Sequence, residues 1–272
     1  MKRIVNVICA IDLIFLLLLV LSSMTYGILS EVLYYVALIV PIAIGAYYIK
    51  RERPYTENPH SVYIGLDKSS LAYFLPLAAP AIALIIAVAY ITASVMGAFG
   101  ITGGETIDLA LPEALLIFAL VPAVLEEALF RYIPLKLLLP YSKKWAVILS
   151  ALFFSVVHTD LFKLPYAFVA GIIFALADIN CKSVIPSVII HFVNNAASVI
   201  IIKSSSDTVS LAIYLTIGVL ALISAIIVAI RHNVYRDFAK PLYEKEEKAQ
   251  IGTAPAVISA LCVFLAAGAL IS

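Results

Sequence analysis

The chain has 272 residues, of which 64% are hydrophobic and only 13% are charged. Soluble domains average about 45–50% apolar and about 25% charged residues, and a soluble chain of this length could not bury so much apolar surface. A net charge of +1, with no basic run interleaved with aromatic residues, gives no indication of nucleic-acid binding. The composition therefore predicts an integral protein of the lipid bilayer.

The cysteines and the N-terminus indicate neither a disulfide framework nor a cleaved leader. Cys9, Cys181 and Cys262 form no C-x-x-C pair and show no metal-ligand spacing, so we expect small apolar membrane residues. Lys2 and Arg3 precede an apolar run, as in a signal peptide, but residues 4–21 are long for such a segment. We therefore expect a retained first helix.

Nine apolar runs follow one another, and most approach the ~17–20 residues that a membrane-spanning helix needs. The first eight are 4–22, 32–48, 71–96, 114–139, 145–161, 164–177, 184–202 and 209–230. The ninth, 254–271, follows a charged segment, 231–250, which predicts a cytoplasmic connector helix on the membrane surface. We expect an all-α transmembrane bundle of about 8–9 spans, forming one integral domain over residues 1–272.

The distribution of positive charge predicts how this bundle is oriented. If the N-terminus is inside and nine spans alternate, sixteen of the 18 Lys and Arg residues fall on the inner side. Only Lys163 and Lys203 fall on the outer side. Cytoplasmic loops of membrane proteins carry this excess of Lys and Arg, so we expect a multi-pass protein of the cell membrane with a cytoplasmic N-terminus.

The fourth run contains two carboxylates and a guanidinium, which are rare inside a membrane and usually functional. Glu127 and Arg131 are spaced i and i+4, share a helix face and can neutralise each other. Glu126 points about 100° away and has no partner in its own helix. The spacing predicts a supporting pair, Glu127 and Arg131, and a reactive carboxylate, Glu126. Two buried structural ion pairs are the alternative interpretation.

Three more polar side chains lie in later apolar runs. His158 ends the fifth run, and His191 and Asn195 are i and i+4 on one face of the seventh. At about 1.5 Å per residue, Glu126 and His158 lie roughly 18–20 Å from the inner ends of their runs, and His191 roughly 11 Å. All three can therefore share one layer in the middle or inner half of the membrane.

A carboxylate and an imidazole can together hold and deprotonate a water molecule. A second imidazole and an amide N–H can donate to the oxygen that becomes negative when water adds to a carbonyl. The set therefore indicates a hydrolase without a covalent nucleophile. Zinc ligation and a serine mechanism through Ser155 are alternatives, but Asn is a poor zinc ligand and neither H-E-x-x-H nor a nucleophile elbow is present.

The pattern Glu126-Glu127-x-x-x-Arg131, Phe154-x-x-x-His158, His191-x-x-x-Asn195 resembles the three motifs of the CAAX prenyl protease 2 (Rce1-type) family. That family lies within the wider group of CAAX proteases and bacteriocin-processing enzymes (CPBP, or ABI). The resemblance covers about residues 111–203, the predicted catalytic core, and implies an α-helical intramembrane glutamate protease.

By the resemblance, Glu126 and His158 activate water, while His191 and Asn195 form the oxyanion site. Glu127 and Arg131 support them. The implied activity is hydrolysis of a peptide bond near the C-terminus of a lipidated, prenylated substrate, without metal or other cofactor. Two other functions remain open: a proton-coupled membrane carrier that uses Glu126 and the histidines as a relay, and a non-catalytic immunity-type membrane protein of the same group.

Overall fold

The computed structural model describes residues 1–52, 61–65, 67–100, 106–158 and 163–244. The described chain is all-α, as the sequence predicts, and its elements follow in order. The helices are α1 (Lys2–Ser23), α2 (Ile28–Arg51), α3 (Lys68–Ala98), α4 (residues 111–138), α5 (Lys143–Val156), α6 (Lys163–Cys181), α7 (Ile185–Ser204), α8 (Asp207–Ile230), α9 (His232–Tyr235) and α10 (Lys240–Tyr243).

Six helices are long and apolar enough to cross a membrane by length and composition: α1, α2, α3, α6, α7 and α8. This confirms the predicted class, a polytopic transmembrane helical bundle. The ninth apolar run, 254–271, lies outside the described residues. The start of the predicted connector forms the short helices α9 and α10, whereas residues 245–250 also lie outside them.

The fifth run forms a shorter helix than its hydropathy predicts. The helix α5 has 14 residues and ends at Val156, where the N–H groups of Val157 and His158 turn back to Phe153 and Ser155. A 14-residue helix rises about 21 Å, which is less than the ~30 Å of a bilayer core. His158 therefore lies just past the end of a helix and not within one.

The fourth run, α4, alternates between two helical geometries. Its α-helical segments Leu111–Leu115, Val121–Glu127 and Ile133–Leu138 are separated by π-helical turns at Leu116–Leu120 and Ala128–Tyr132. Pro122 and Pro134 each occupy the second position of the α segment that follows a π turn. A proline has no N–H and cannot close the regular i→i−4 hydrogen bond, so the ladder is interrupted twice. Such π turns often mark functional sites.

Close packing of α5 against α6 brings the second motif towards α4. A Cβ on Gly171 would lie 2.7 Å from Ala151 Cα and 3.2 Å from Arg131 Nη2, so only glycine fits at this crossing. On the other side of α4, the Phe130 ring meets the Phe15 ring of α1 edge to face at 5.4 Å. In contrast, α8 has no buried residues, as expected of a helix that faces lipid.

The connection from α6 to α7 is held in place by a neighbouring strand-like segment. The Tyr63 N–H donates to the Lys182 carbonyl at 3.0 Å, and the Val184 N–H donates to the Tyr63 carbonyl at 3.1 Å. The buried Lys136 ammonium of α4 donates to the Val62 carbonyl at 3.1 Å. These contacts fix the start of α7, the helix that carries the third motif.

Candidate active site

Glu127 and Arg131 form a fully buried ion pair within α4. Glu127 Oε2 lies 3.5 Å from Arg131 Nε, as the i,i+4 spacing predicts, and both side chains are 0% exposed. Arg131 Nη1 also donates to the carbonyls of Phe130 at 2.9 Å and Ser150 at 3.2 Å. The guanidinium carbon lies 4.3 Å from the centre of the Phe154 ring. The pair therefore ties α4 to α5.

Glu126 points to the other side of α4 and keeps a partly accessible carboxylate. Its side chain is 17% exposed, and Oε2 is buried without a hydrogen-bond partner among the described residues. Its Oε2 lies 3.9 Å from His191 Nε2. Of these two neighbouring glutamates, Glu127 therefore forms an ion pair within its own helix and Glu126 does not.

His191 lies between the two glutamates, an arrangement that the sequence does not predict. Its Nδ1 lies 2.8 Å from Glu127 Oε1, and its Nε2 faces Glu126. Because an ionised carboxylate only accepts hydrogen bonds, Nδ1 donates to Glu127. The ring is 5% exposed and packs against Phe154 and Phe174, at centroid distances of 5.6 and 5.8 Å.

His158 is oriented by its own motif. Its Nδ1 lies 2.7 Å from the Phe154 carbonyl, which can only accept, so Nδ1 carries the proton and Nε2 of the neutral ring keeps a lone pair. The two rings meet edge to face at 4.8 Å. Within the described chain, His158 and Glu126 share no hydrogen bond. The Phe154 ring thus contacts three motif residues: His158, His191 and Arg131.

Asn195 lies one turn after His191 on α7, and the orientation of its amide is set from two sides. Nδ2 donates to the Phe118 carbonyl of α4 at 3.3 Å, while Oδ1 accepts from Asn194 Nδ2 at 3.4 Å. These contacts point the amide nitrogen towards α4. The third motif is thereby docked on α4 through both His191 and Asn195.

Sequence reasoning missed Asp178, a fully buried carboxylate of α6. Its Oδ1 accepts from the backbone N–H of Ser187, at 3.0 Å, in the first turn of α7 and one turn before His191. The predicted sixth run stops at residue 177, so the available signal was an acidic residue directly after an apolar run. Ser155, in contrast, donates to the Leu152 carbonyl of its own helix at 2.9 Å, which gives a serine mechanism no support.

A metal site finds no support in the described part of the chain, where no group of three or more His, Cys, Asp or Glu side chains is arranged to hold an ion. Arg131 fills the position beside Glu127 that a cation would need. The donors at this site are therefore suited to proton transfer and to hydrogen bonding of an anion. That the site works without metal stays a prediction.

Part of the chain matches the model of a known protein family. Residues 109–197, which are 89 of the 272 residues, match the family model described as type II CAAX prenyl endopeptidase Rce1-like. No curated protein and no solved structure shows significant similarity to the chain. The matched segment contains all three motifs, and the match confirms the resemblance that they indicate: residues 109–197 are similar to the Rce1-like family.

Proposed function

We propose that this protein is an intramembrane glutamate-dependent endopeptidase of the CAAX protease type. One observation carries the proposal: Glu126 Oε2 is buried, has no hydrogen-bond partner among the described residues and lies 3.9 Å from His191 Nε2, whereas the neighbouring Glu127 is held by an ion pair with Arg131 and a hydrogen bond from His191. An unpaired carboxylate in an apolar layer is costly and is kept where it does chemistry.

In the proposed reaction, Glu126 and His158 hold the attacking water and take its proton. The water oxygen forms a bond to the scissile carbonyl carbon, and the carbonyl oxygen becomes an oxyanion. The C–N bond then breaks, and the proton taken from water passes to the leaving amine. The orientation of His158 supports this role, since its Nδ1–H is bound to Phe154 and Nε2 keeps the lone pair that a base needs.

His191 and Asn195 would stabilise the oxyanion. Asn195 Nδ2 has two N–H groups and only one donates to Phe118, so the second can donate to substrate. His191 can donate from Nε2 only when both its nitrogens carry protons, because Nδ1–H is bound to Glu127. Glu127 accepts the hydrogen bond from Nδ1 and so orients the His191 ring, which is a task for this glutamate beyond pairing with Arg131.

For the substrate we propose a lipidated, prenylated peptide or protein cut near its C-terminus. The description of the matched family supports this class. An intramembrane site suits a substrate whose lipid stays in the bilayer while its tail reaches the carboxylates. The excess of Lys and Arg on one side supports a cell-membrane protein with a cytoplasmic N-terminus.

The test is cleavage of a farnesylated C-a-a-X reporter peptide by the purified protein in liposomes. We expect release of the C-terminal tripeptide and its loss in Glu126→Gln. Glu113→Gln is the matched control, because Glu113 is an exposed glutamate near the start of the same helix. The opposite outcome is a wild-type protein that leaves prenylated and non-prenylated peptides intact but moves protons across sealed liposomes. That result would refute the protease function and favour the proton-coupled carrier.

A further inference from the structure

Pro122 removes one backbone donor from α4 at a defined place. In a regular α-helix the N–H of residue 122 would donate to the carbonyl of Phe118, four residues earlier. Proline has no N–H, so Phe118 loses this donor. Phe118 lies within the π turn Leu116–Leu120, so the backbone hydrogen bonds of α4 are already irregular there.

The donor that this carbonyl receives instead comes from another helix. Asn195 Nδ2 of α7 donates to the Phe118 carbonyl at 3.3 Å. The amide cannot turn over without cost, because Oδ1 also accepts from Asn194 Nδ2 at 3.4 Å. One of the two N–H groups of Asn195 is thus committed to α4, which fixes the direction of the other.

The same device recurs twelve residues later in α4. Pro134 leaves the Phe130 carbonyl without its i+4 donor. That carbonyl accepts from Ser150 Oγ at 2.6 Å and from Arg131 Nη1 at 2.9 Å. Pro122 and Pro134 are therefore each matched by a carbonyl that accepts a hydrogen bond from the side chain of a motif residue, Asn195 or Arg131.

From this geometry we propose that Pro122 is a positioning residue of the active site. By withholding a backbone donor from the Phe118 carbonyl, it makes that carbonyl the acceptor that orients Asn195. The proposal deepens and rests on the proposed protease function, in which the second N–H of Asn195 donates to the oxyanion. It requires no contact between Pro122 and the substrate.

The kinetic test is Pro122→Ala, which restores an N–H that competes with Asn195 for Phe118. We expect kcat for the reporter peptide to fall at least tenfold, but by no more than the ~10²–10³ expected for loss of a donor, at nearly constant KM. Thermal stability should stay the same or rise, since a helix gains a hydrogen bond. Pro122→Gly also restores the N–H and should act in the same direction.

A double-mutant cycle separates positioning from general damage to the helix. In an Asn195→Ala background, Pro122→Ala should change kcat by less than about twofold, because the residue it acts through is gone. Pro112→Ala is the matched control: Pro112 lies in the first turn of α4, and the residue four before it precedes the helix. Additive losses in the cycle, or an equal loss for Pro112→Ala, would overturn the proposal.

A readout without catalysis keeps this proposal distinct from the proposed function. In protein labelled with ¹⁵N-asparagine, the side-chain amide signals that vanish in Asn195→Ala identify this residue. We expect them to move in Pro122→Ala and to stay in place in Pro112→Ala. Unmoved signals would refute the role of Pro122 even in an active protease. A protein that cuts no peptide but shows the shift would leave the positioning intact and refute only the proposed function.

Discussion

His191 hydrogen-bonds Glu127 and not Glu126: Nδ1 lies 2.8 Å from Glu127 Oε1, whereas Nε2 lies 3.9 Å from Glu126 Oε2. The glutamate that pairs with Arg131 within its own helix therefore also holds the histidine of α7. One fully buried carboxylate joins the first motif to the third, and its neighbour in sequence keeps a free oxygen.

This division predicts opposite outcomes for two matched substitutions. Glu126→Gln should abolish turnover and leave folded yield and melting temperature near those of the wild type, because Glu126 has no ion pair within its helix to lose. Glu127→Gln should lower stability, since it removes the charge opposite a buried Arg131, a change that typically costs about 3–5 kcal/mol. Yield and thermal melts in detergent, together with peptide cleavage, measure both. A stable, inactive Glu127→Gln beside an active Glu126→Gln would reverse the assignment.

Asn195 should act on the transition state and not on binding. An amide donor to a developing oxyanion typically contributes ~2.7–4 kcal/mol, so Asn195→Ala should lower kcat about 10²–10³-fold with little change in KM. Asn195→Asp should be worse, because it puts an anion beside the oxyanion. Measuring kcat and KM for cleavage of a prenylated reporter peptide at steady state distinguishes these two roles. A normal kcat with a raised KM would mean that this part of α7 only binds substrate.

Cleavage should not depend on a metal ion. The arginine beside Glu127 and the amide of Asn195 suit hydrogen bonding of an anion better than ligation of zinc. Activity after exhaustive chelation should therefore match that of the untreated protein, and elemental analysis should find less than stoichiometric zinc. Loss of both zinc and activity on chelation, with activity restored when zinc is added back, would contradict this prediction.

The crossing of α5 and α6 should tolerate only glycine at 171. In Gly171→Ala the new Cβ would meet Ala151 Cα at 2.7 Å, and backbone has to shift to accept it, at a cost of about 1–3 kcal/mol. Gly218→Ala in α8 is the control, because no atom lies within 4 Å of its added Cβ and alanine favours a helix. We expect a lower melting temperature for the first variant and an equal or higher one for the second.

The loops should divide between the two membrane faces as the positive charges do. We expect the helix ends and connections around Arg51, Lys144 and Arg236 on one face, and those around Gly103 and Ser205 on the other. Single cysteines introduced into a background without the three native ones, and labelled in sealed vesicles, report the side. Lys144→Cys and Ser205→Cys labelled from the same side would refute the orientation.

The sequence predicts those contacts of the site that join two residues of the same helix. The contact of Glu127 with Arg131 follows from four residues of spacing, and the shared face of His191 and Asn195 follows from the same period. Contacts between helices do not follow from spacing. The bond from Glu127 to His191 joins residues 64 positions apart, and it depends on how α4 and α7 cross.

Asp178 shows a second limit of sequence reasoning. A carboxylate at the end of an apolar run is ordinarily a solvated helix end, and the run alone gives no reason to bury it. It is buried because the Ser187 N–H of the next helix needs an acceptor. The helix class itself was predictable, since 64% hydrophobic residues in long runs leave little alternative.

The two π turns of α4 also constrain how this helix can change length in related proteins. Each closes its hydrogen bonds over five residues, one more than an α turn, and so holds one residue in excess. Deleting one residue from either turn can therefore let it close as a regular α turn, while the residues beyond it keep nearly the same direction. A one-residue deletion in the α-helical segment between the first π turn and Glu126 would instead rotate both glutamates by about 100° relative to the residues before it. Related proteins should thus lose a single residue within 116–120 more readily than within 121–125.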